Sequence, residues 1–412
     1  LRHYLVPLAA LAAAATVVLS PTAARAAEVV TGIGYIGQAL LPTGTQALGT
    51  EVGGLSGITY DAATGRYLAL SDDRGSNGTT PRYYTFNIDL SDGALSNGDI
   101  TFTAVNTLTK PGGASFANNE LDPEGIALAP GGTSVWLSSE GDKAIAGGPI
   151  QPLIARFDRA TGQQQQTITL PARYTITPSA DTTSGPRNNL VFESLAFTPN
   201  GTLVTALENA LYQDGPAATT SLTSLSRIAL FNPTTGVAGP EFAYQNDPVS
   251  LTADPNNAFN LNGLVDLLPL SDTEFLALER SFQTQNVGST DTGYRVKLYQ
   301  FSLTGATDVS GIDSLAGAGG VVPVSKSLVF DLSTLGVPLD NLEGITFGPT
   351  LPDGSRSLVV VADNNFAASQ TTQFLAFRVT TASVPEPGTA ALAGAGLTAA
   401  LLIGGTRRRR RA

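Results

Sequence analysis

Cysteine and methionine are absent from the 412 residues, and histidine occurs once, as His3. Without cysteine the chain can form neither disulfides nor thiolate metal sites. With no histidine beyond His3, a Ser-His-Asp triad, a histidine phosphatase and a His-ligated zinc hydrolase are all excluded. The sequence also contains no Gly-x-Ser-x-Gly elbow and no P-loop. Since methionine is missing, Leu1 is expected to be a misread start codon. The single tryptophan, Trp136, sits inside a strand-like run, which assigns it to the core and argues against a carbohydrate platform. Charged residues make up only 14% of the chain, whereas glycine (44) and proline (25) are abundant between short runs of Thr, Val, Ile, Phe and Tyr. Such a composition belongs to an all-β protein with many turns.

A unit recurs five times. It opens on a short apolar strand at Ser56-Gly57-Ile58, Glu124-Gly125-Ile126, Glu193-Ser194-Leu195, Asn262-Gly263-Leu264 and Glu343-Gly344-Ile345. A second strand in each unit ends on an acid: Asp72, Glu140, Glu208, Glu279 and Asp363. Matched Ile or Leu positions lie 68, 69, 69 and 81 residues apart (58 to 126, 195, 264 and 345). Regular spacing of units too small to bury a core alone marks a repeat architecture. Four strand-like runs per unit read as the blades of a β-propeller, five by this count. The fifth unit lacks a fourth strand, while an orphan strand, Val29 to Ile36, precedes the first unit. Pairing the two would close the ring and remove exposed strand edges. A Gly-rich stretch from Gly305 to Gly320 is either a loop or the remains of a sixth blade. A pair of β-sandwiches would also show many short strands, but it predicts neither the regular interval nor the unpaired ends.

In a propeller the first strand of each blade lines the central channel and the second runs back beside it. The start of one and the end of the other therefore share a channel mouth. This predicts convergence of Asp72, Glu124, Glu140, Glu193, Glu208, Glu279, Glu343 and Asp363, flanked by Asp73, Asp122, Asp142, Asp340 and the Asn pairs 118–119, 188–189 and 256–257. Taken singly, an acid at a strand end often only satisfies turn amides. Taken together, converging carboxylates repel one another unless a cation lies among them, and oxygen-only ligands select Ca²⁺ or Mg²⁺. Arg82, Arg227 and Arg295 each stand four residues before an aromatic, and Arg74 and Arg280 directly follow acids. Each arginine either fixes its blade by pairing with a neighbouring acid or serves an anionic phosphoester at the mouth. The catalytic candidates are Glu193, Glu208, Arg227 and Arg280; the metal candidates are all eight converging acids. The open mechanism is metal-assisted hydrolysis of a small anionic ester.

Both ends read as addresses. Arg2, the apolar run Leu5 to Leu19 and Ala24-Arg25-Ala26 describe a signal peptide over 1–26. From 382 onward, a Pro385-Glu386-Pro387 box, an apolar stretch from Thr389 to Gly405 and the cluster Arg407 to Arg411 resemble the PEP-CTERM sorting signal of Gram-negative bacteria. That resemblance implies recognition by an exosortase, export through the inner membrane and residence in the cell envelope, at the surface or outside, with membrane contact only through this tail. The propeller is expected over 27–381, as a monomer. With both ends removed, 16 basic and 33 acidic residues remain, a net charge of −17, which disfavours a nucleic-acid partner.

The units resemble a bacterial secreted family, the phytase-like domain or "esterase-like activity of phytase". The matching pieces are Gly54-Leu55-Ser56-Gly57-Ile58, Leu70-Ser71-Asp72-Asp73-Arg74, Asp122-Pro123-Glu124-Gly125-Ile126, Glu193-Ser194-Leu195, Leu278-Glu279-Arg280, Asn341-Leu342-Glu343-Gly344-Ile345 and Ala362-Asp363-Asn364. The resemblance implies a propeller with phosphoester or ester hydrolase activity. The Asp-Asp-Pro-Ala-type motif of the six-bladed, calcium-dependent phytases is not found, so none of their catalytic positions is carried over. Two other classes compete: a Ca²⁺-dependent lactonase-like esterase, and a non-enzymatic surface propeller that binds an envelope or matrix partner.

Overall fold

A computed structural model describes residues 27–75, 79–145, 148–176, 182–251, 259–285, 289 and 291–384. The signal peptide expected at 1–26, the tail from Pro385 onward and the Asn pair at 256–257 lie outside the described residues.

The chain enters along β1 (Ala27–Pro42) and makes a small hairpin of β2 (Gln46–Ala47) and β3 (Thr50–Glu51). Blade one follows as β4 (Leu55–Asp61), β5 (Arg66–Ser71), β6 (Arg82–Ile88) and β7 (Ile100–Thr107). Blade two is β8 (Pro123–Leu128), β9 (Ser134–Ser139), β10 (Leu153–Asp158) and β11 (Gln164–Thr167). Blade three is β12 (Ala196–Phe197), β13 (Leu203–Ala206), β14 (Ser224–Asn232) and β15 (Val237–Asn246). Blade four is β16 (Asn260–Pro269), β17 (Glu274–Gln283), β18 (Tyr294–Ser302) and β19 (Ser325–Asp331). Blade five is β20 (Asn341–Thr350), β21 (Arg356–Asp363) and β22 (Thr371–Val384), with β1 as its outer strand. Among the described residues these make five four-stranded antiparallel sheets. The expected ring closure is present and longer than the sequence suggested: β1 pairs with β22 from Ala27↔Val384 to Pro42↔Thr371. The Gly-rich stretch is a loop between β18 and β19 rather than a sixth blade. Its Val309 and Leu315 pack on Ala243 of β15.

The core is divided into five inter-blade layers. One cluster joins Leu276 and Leu278 to Val360 and Leu375, between blades four and five, and another joins Val135 and Phe157 to Leu68 and Tyr83, between blades two and one. Each Leu, Ile, Val or Phe buried this way contributes roughly 1.5–3 kcal/mol. A blade exposes both faces when isolated, so packing against two neighbours is what fixes it in place. Trp136 is buried among blade-two and blade-three residues, as expected of a core position.

At the axis, small residues let five first strands approach one another. A Cβ on Gly125 would stand 2.7 Å from the Leu195 amide nitrogen, and one on Gly57 would stand 2.5 Å from the Glu124 carbonyl. Real Cβ atoms do not come so close to backbone, so glycine there permits the narrow ring. Each glutamate of the Glu-Gly pairs is thereby delivered to the axis. Among the described residues no helix is long and apolar enough to cross a membrane.

Candidate functional site

The first strands begin, and the second strands end, around one cavity of about 460 Å³. Asp72, Glu124, Glu193, Glu208, Glu343 and Asp363 line it, with Arg74 and Arg280. Glu140 and Asp122 join the set: one oxygen from each of Asp122, Glu124 and Glu140 lies within 4.8 Å of the others, and so do oxygens of Glu140, Glu193 and Glu208. Glu140 thus belongs to both groups. All of these except Asp72 and Arg74 are buried.

Glu140 accepts from the Val191 amide at 2.8 Å with one oxygen, while its other oxygen, buried, has no hydrogen-bond partner. The same is true of Asp122 Oδ2 and Asp72 Oδ1. Like charges crowd here: Glu124 faces Asp122, and Glu193 faces Glu140 and Glu208. Burial pushes Asp122 up to about 6, Glu208 to about 7 and Asp363 to about 8, and holds Asp72, Glu124, Glu140 and Glu193 well above the carboxylate range. A cation placed among these oxygens would relieve that crowding of like charge. The donors are all carboxylate oxygens, several unpartnered, which fits a hard, oxygen-seeking cation.

Two arginines offset part of the charge. Arg74 donates to Asp122 at 2.5 Å, Asp142 at 2.9 Å and Asn189 at 2.6 Å. Arg280 donates to Glu208 at 2.8 Å, to Asn341 at 2.5 Å and to Glu343.

Two expected members stand elsewhere. Glu279 is not at the mouth. Neighbouring residues on a strand face opposite sides, and Arg280 takes the mouth side of β17. The Glu279 carboxylate turns toward the seam between blades three and four, where it accepts from Tyr244 Oη at 2.8 Å, the Asp247 amide at 3.0 Å, Asn262 Nδ2 at 2.9 Å and Lys326 Nζ. All its capacity is used, so it is corrected from metal ligand to structural anchor. Arg227 is likewise corrected from catalytic residue to a pin. It is fully buried, donates to Asp214 at 2.6 and 2.8 Å and to Glu241 at 3.0 Å, and holds the Val309 and Ile312 carbonyls of the Gly-rich loop. Those two carboxylates draw the guanidinium to the periphery.

Of the flanking residues, Asp73 pairs with Arg82 at 2.7 Å and Arg295 with Asp291. Asp340 accepts from the Thr371 amide at 2.7 Å. The blade-fixing role therefore holds for Arg82, Arg227 and Arg295. Asn188 and Asn189 do reach the cavity.

The sequence reading overlooked an apolar wall. Leu190, Phe259, Leu261, Phe282 and Tyr294 line the same cavity. A signal for it exists in the alternation: Phe282 follows Arg280 by two on β17, so both face the mouth.

No curated protein matches the chain. Among solved structures, a periplasmic gluconolactonase of Pseudomonas aeruginosa is similar at 13% identity, covering 86% of this chain and 100% of that one, with a TM-score of 0.34. A GH43 endo-arabinanase from Bacillus licheniformis is similar at 13% identity, covering 77% and 91%, with a TM-score of 0.38. Similarity at this level bears on neither substrate nor mechanism. Residues 50–366, from the hairpin before blade one to the turn after β21, match the family described as phytase-like, esterase-like activity of phytase, and the chain belongs to that family.

Proposed function

We propose that this chain is an exported hydrolase that cleaves a phosphoester or carboxylic ester at the carboxylate-lined mouth, with Ca²⁺, or Mg²⁺ in its place, held by Asp122, Glu124, Glu140, Glu193 and Glu208. The observation that carries the reading is Glu140: a buried carboxylate shared by two acidic groups, with one oxygen unpartnered. Bound there, the ion supplies a Lewis acid for the ester oxygen and lowers the pKa of a water.

The chain's own residues have separable tasks. Glu208, buried at the mouth and held by Arg280 at 2.8 Å, is placed to take a proton from a water there. Arg280 holds Glu208 and Glu343 in place from between them. Asp72 and Asp363 extend the acidic ring on the blade-one and blade-five side. A neutral ester or lactone is the second reading. It is favoured by the engagement of Arg74 and Arg280 with carboxylate and amide acceptors, every terminal nitrogen already donating to at least one within the protein.

Export through a signal peptide and sorting by an exosortase at the tail are part of the proposal. Its support is the sequence of the two ends: the apolar run Leu5 to Leu19 before Ala24-Arg25-Ala26, and the Pro385-Glu386-Pro387 box before Thr389 to Gly405 and the Arg407 to Arg411 cluster.

The test is an assay of the purified protein with a 4-nitrophenyl phosphate, a 4-nitrophenyl ester and a lactone, each with Ca²⁺ or with chelator. Chelator-sensitive turnover of at least one, lost in Glu140→Gln, is expected. A protein that turns over none of the three in calcium would contradict the hydrolase.

A further inference from the structure

The fourth blade breaks the acidic pattern of the ring. Blades two, three and five each bring at least two carboxylates to the mouth, whereas blade four has Asn262 at its first-strand start and turns Glu279 away. It also rises higher. β17 continues to Gln283, past the position where the other second strands stop, and pairs with β16 through Leu261↔Phe282 and Asn260↔Gln283. The added length lifts Leu261 and Phe282 above the carboxylates.

On that extension the side chains form a continuous aromatic face. Phe282 lies 4.7 Å from Tyr294 and 6.1 Å from Phe259, centroid to centroid. Phe259 is 56% exposed and, with the others, lines the cavity that the carboxylates floor. A large apolar group left in water beside a buried polar site gains free energy when a ligand covers it.

We propose that the substrate carries an aromatic, or equally flat apolar, group that lies against Phe282 and Phe259 while its ester faces the carboxylates, which makes these two phenylalanines specificity-determining. The inference rests on the hydrolase reading for the word substrate, but the contact itself does not. A ligand polar all round, such as a polyphosphorylated cyclitol, would leave the wall uncovered. The apolar group sits on the blade-four side, and the hydrolysed bond lies toward Glu140 and Glu208.

Calorimetric titration of the full-length protein in calcium-containing buffer tests this with two matched pairs: 1-naphthylphosphonate against methylphosphonate, and 1-naphthoate against acetate. The naphthyl member of at least one pair is expected to bind on the order of tenfold more tightly. Phe259→Ala and Phe282→Ala are each expected to remove most of that preference, and Phe282→Leu to keep part of it. Phe259→Ala, being on the surface, should leave the melting temperature unchanged. Equal affinities within both pairs, no binding of any of the four, or a preference unaltered by both alanine variants would overturn the proposal. Because none of these ligands is hydrolysed, a naphthyl preference in a protein that turns over no ester would sink the hydrolase and leave the aromatic subsite standing.

Discussion

Arg280, on the second strand of blade four, donates to Glu208, on the descending loop of blade three's second strand, at 2.8 Å. The same guanidinium reaches Glu343 of blade five, so one buried cation ties three blades together at the mouth. Its removal leaves two buried carboxylates facing each other.

Arg280→Met is therefore expected to cost about 3–5 kcal/mol of stability in chelator, the range for breaking a buried ion pair. Calcium should restore part of the loss by supplying positive charge to the same oxygens. Thermal melts of both proteins with and without Ca²⁺ check this. An unchanged melting temperature in chelator would show that Arg280 does not hold the mouth.

Arg227→Met should behave differently. The residue is fully buried between Asp214 and Glu241, far from the carboxylate cavity, and secures the loop that covers blade three. Removing it is expected to cost a similar 3–5 kcal/mol while kcat/KM per folded molecule stays within about twofold of wild type. Activity lost in a variant that is still folded would return Arg227 to the site.

The contrast between the two arginines shows what the sequence could convey. Blade number, ring closure and the gathering of Asp72, Glu124, Glu140, Glu193, Glu208, Glu343 and Asp363 were legible because the repeat returns equivalent residues to equivalent places. Glu279 was misplaced because one step along a strand reverses the face, and the motif Leu278-Glu279-Arg280 does not say which of the pair looks inward. Arg227 was misplaced because its partners, Asp214 and Glu241, are close only after folding. The aromatic wall was missed since it depends on how far β16 and β17 continue beyond the ring, a length set by their mutual pairing.

Stability should depend on pH in a direction opposite to that of ordinary paired carboxylates. Asp122, Glu208 and Asp363 have folded values of about 6, 7 and 8, above their ordinary 3.8, 4.5 and 3.8. The folded chain therefore holds more protons than the unfolded chain between about pH 4 and pH 8, and its stability falls as pH rises through that window. Melting temperature in chelator should drop by several degrees from about pH 5 to about pH 8, and added Ca²⁺ should stabilise most at the upper end. A chelated melting temperature that is flat or rises across this range would contradict the protonated cluster.

Calorimetric titration of Ca²⁺ into the chelator-treated, dialysed protein, wild type beside Glu140→Gln, is the most direct measurement. Saturable binding to the wild type is expected, raising stability by roughly 2.7 kcal/mol at a hundredfold excess over Kd, with affinity at least about tenfold weaker in the glutamine variant. A wild-type protein that binds neither Ca²⁺ nor Mg²⁺, or a variant that binds as tightly as wild type, would show that the carboxylates at the mouth hold protons rather than a metal ion.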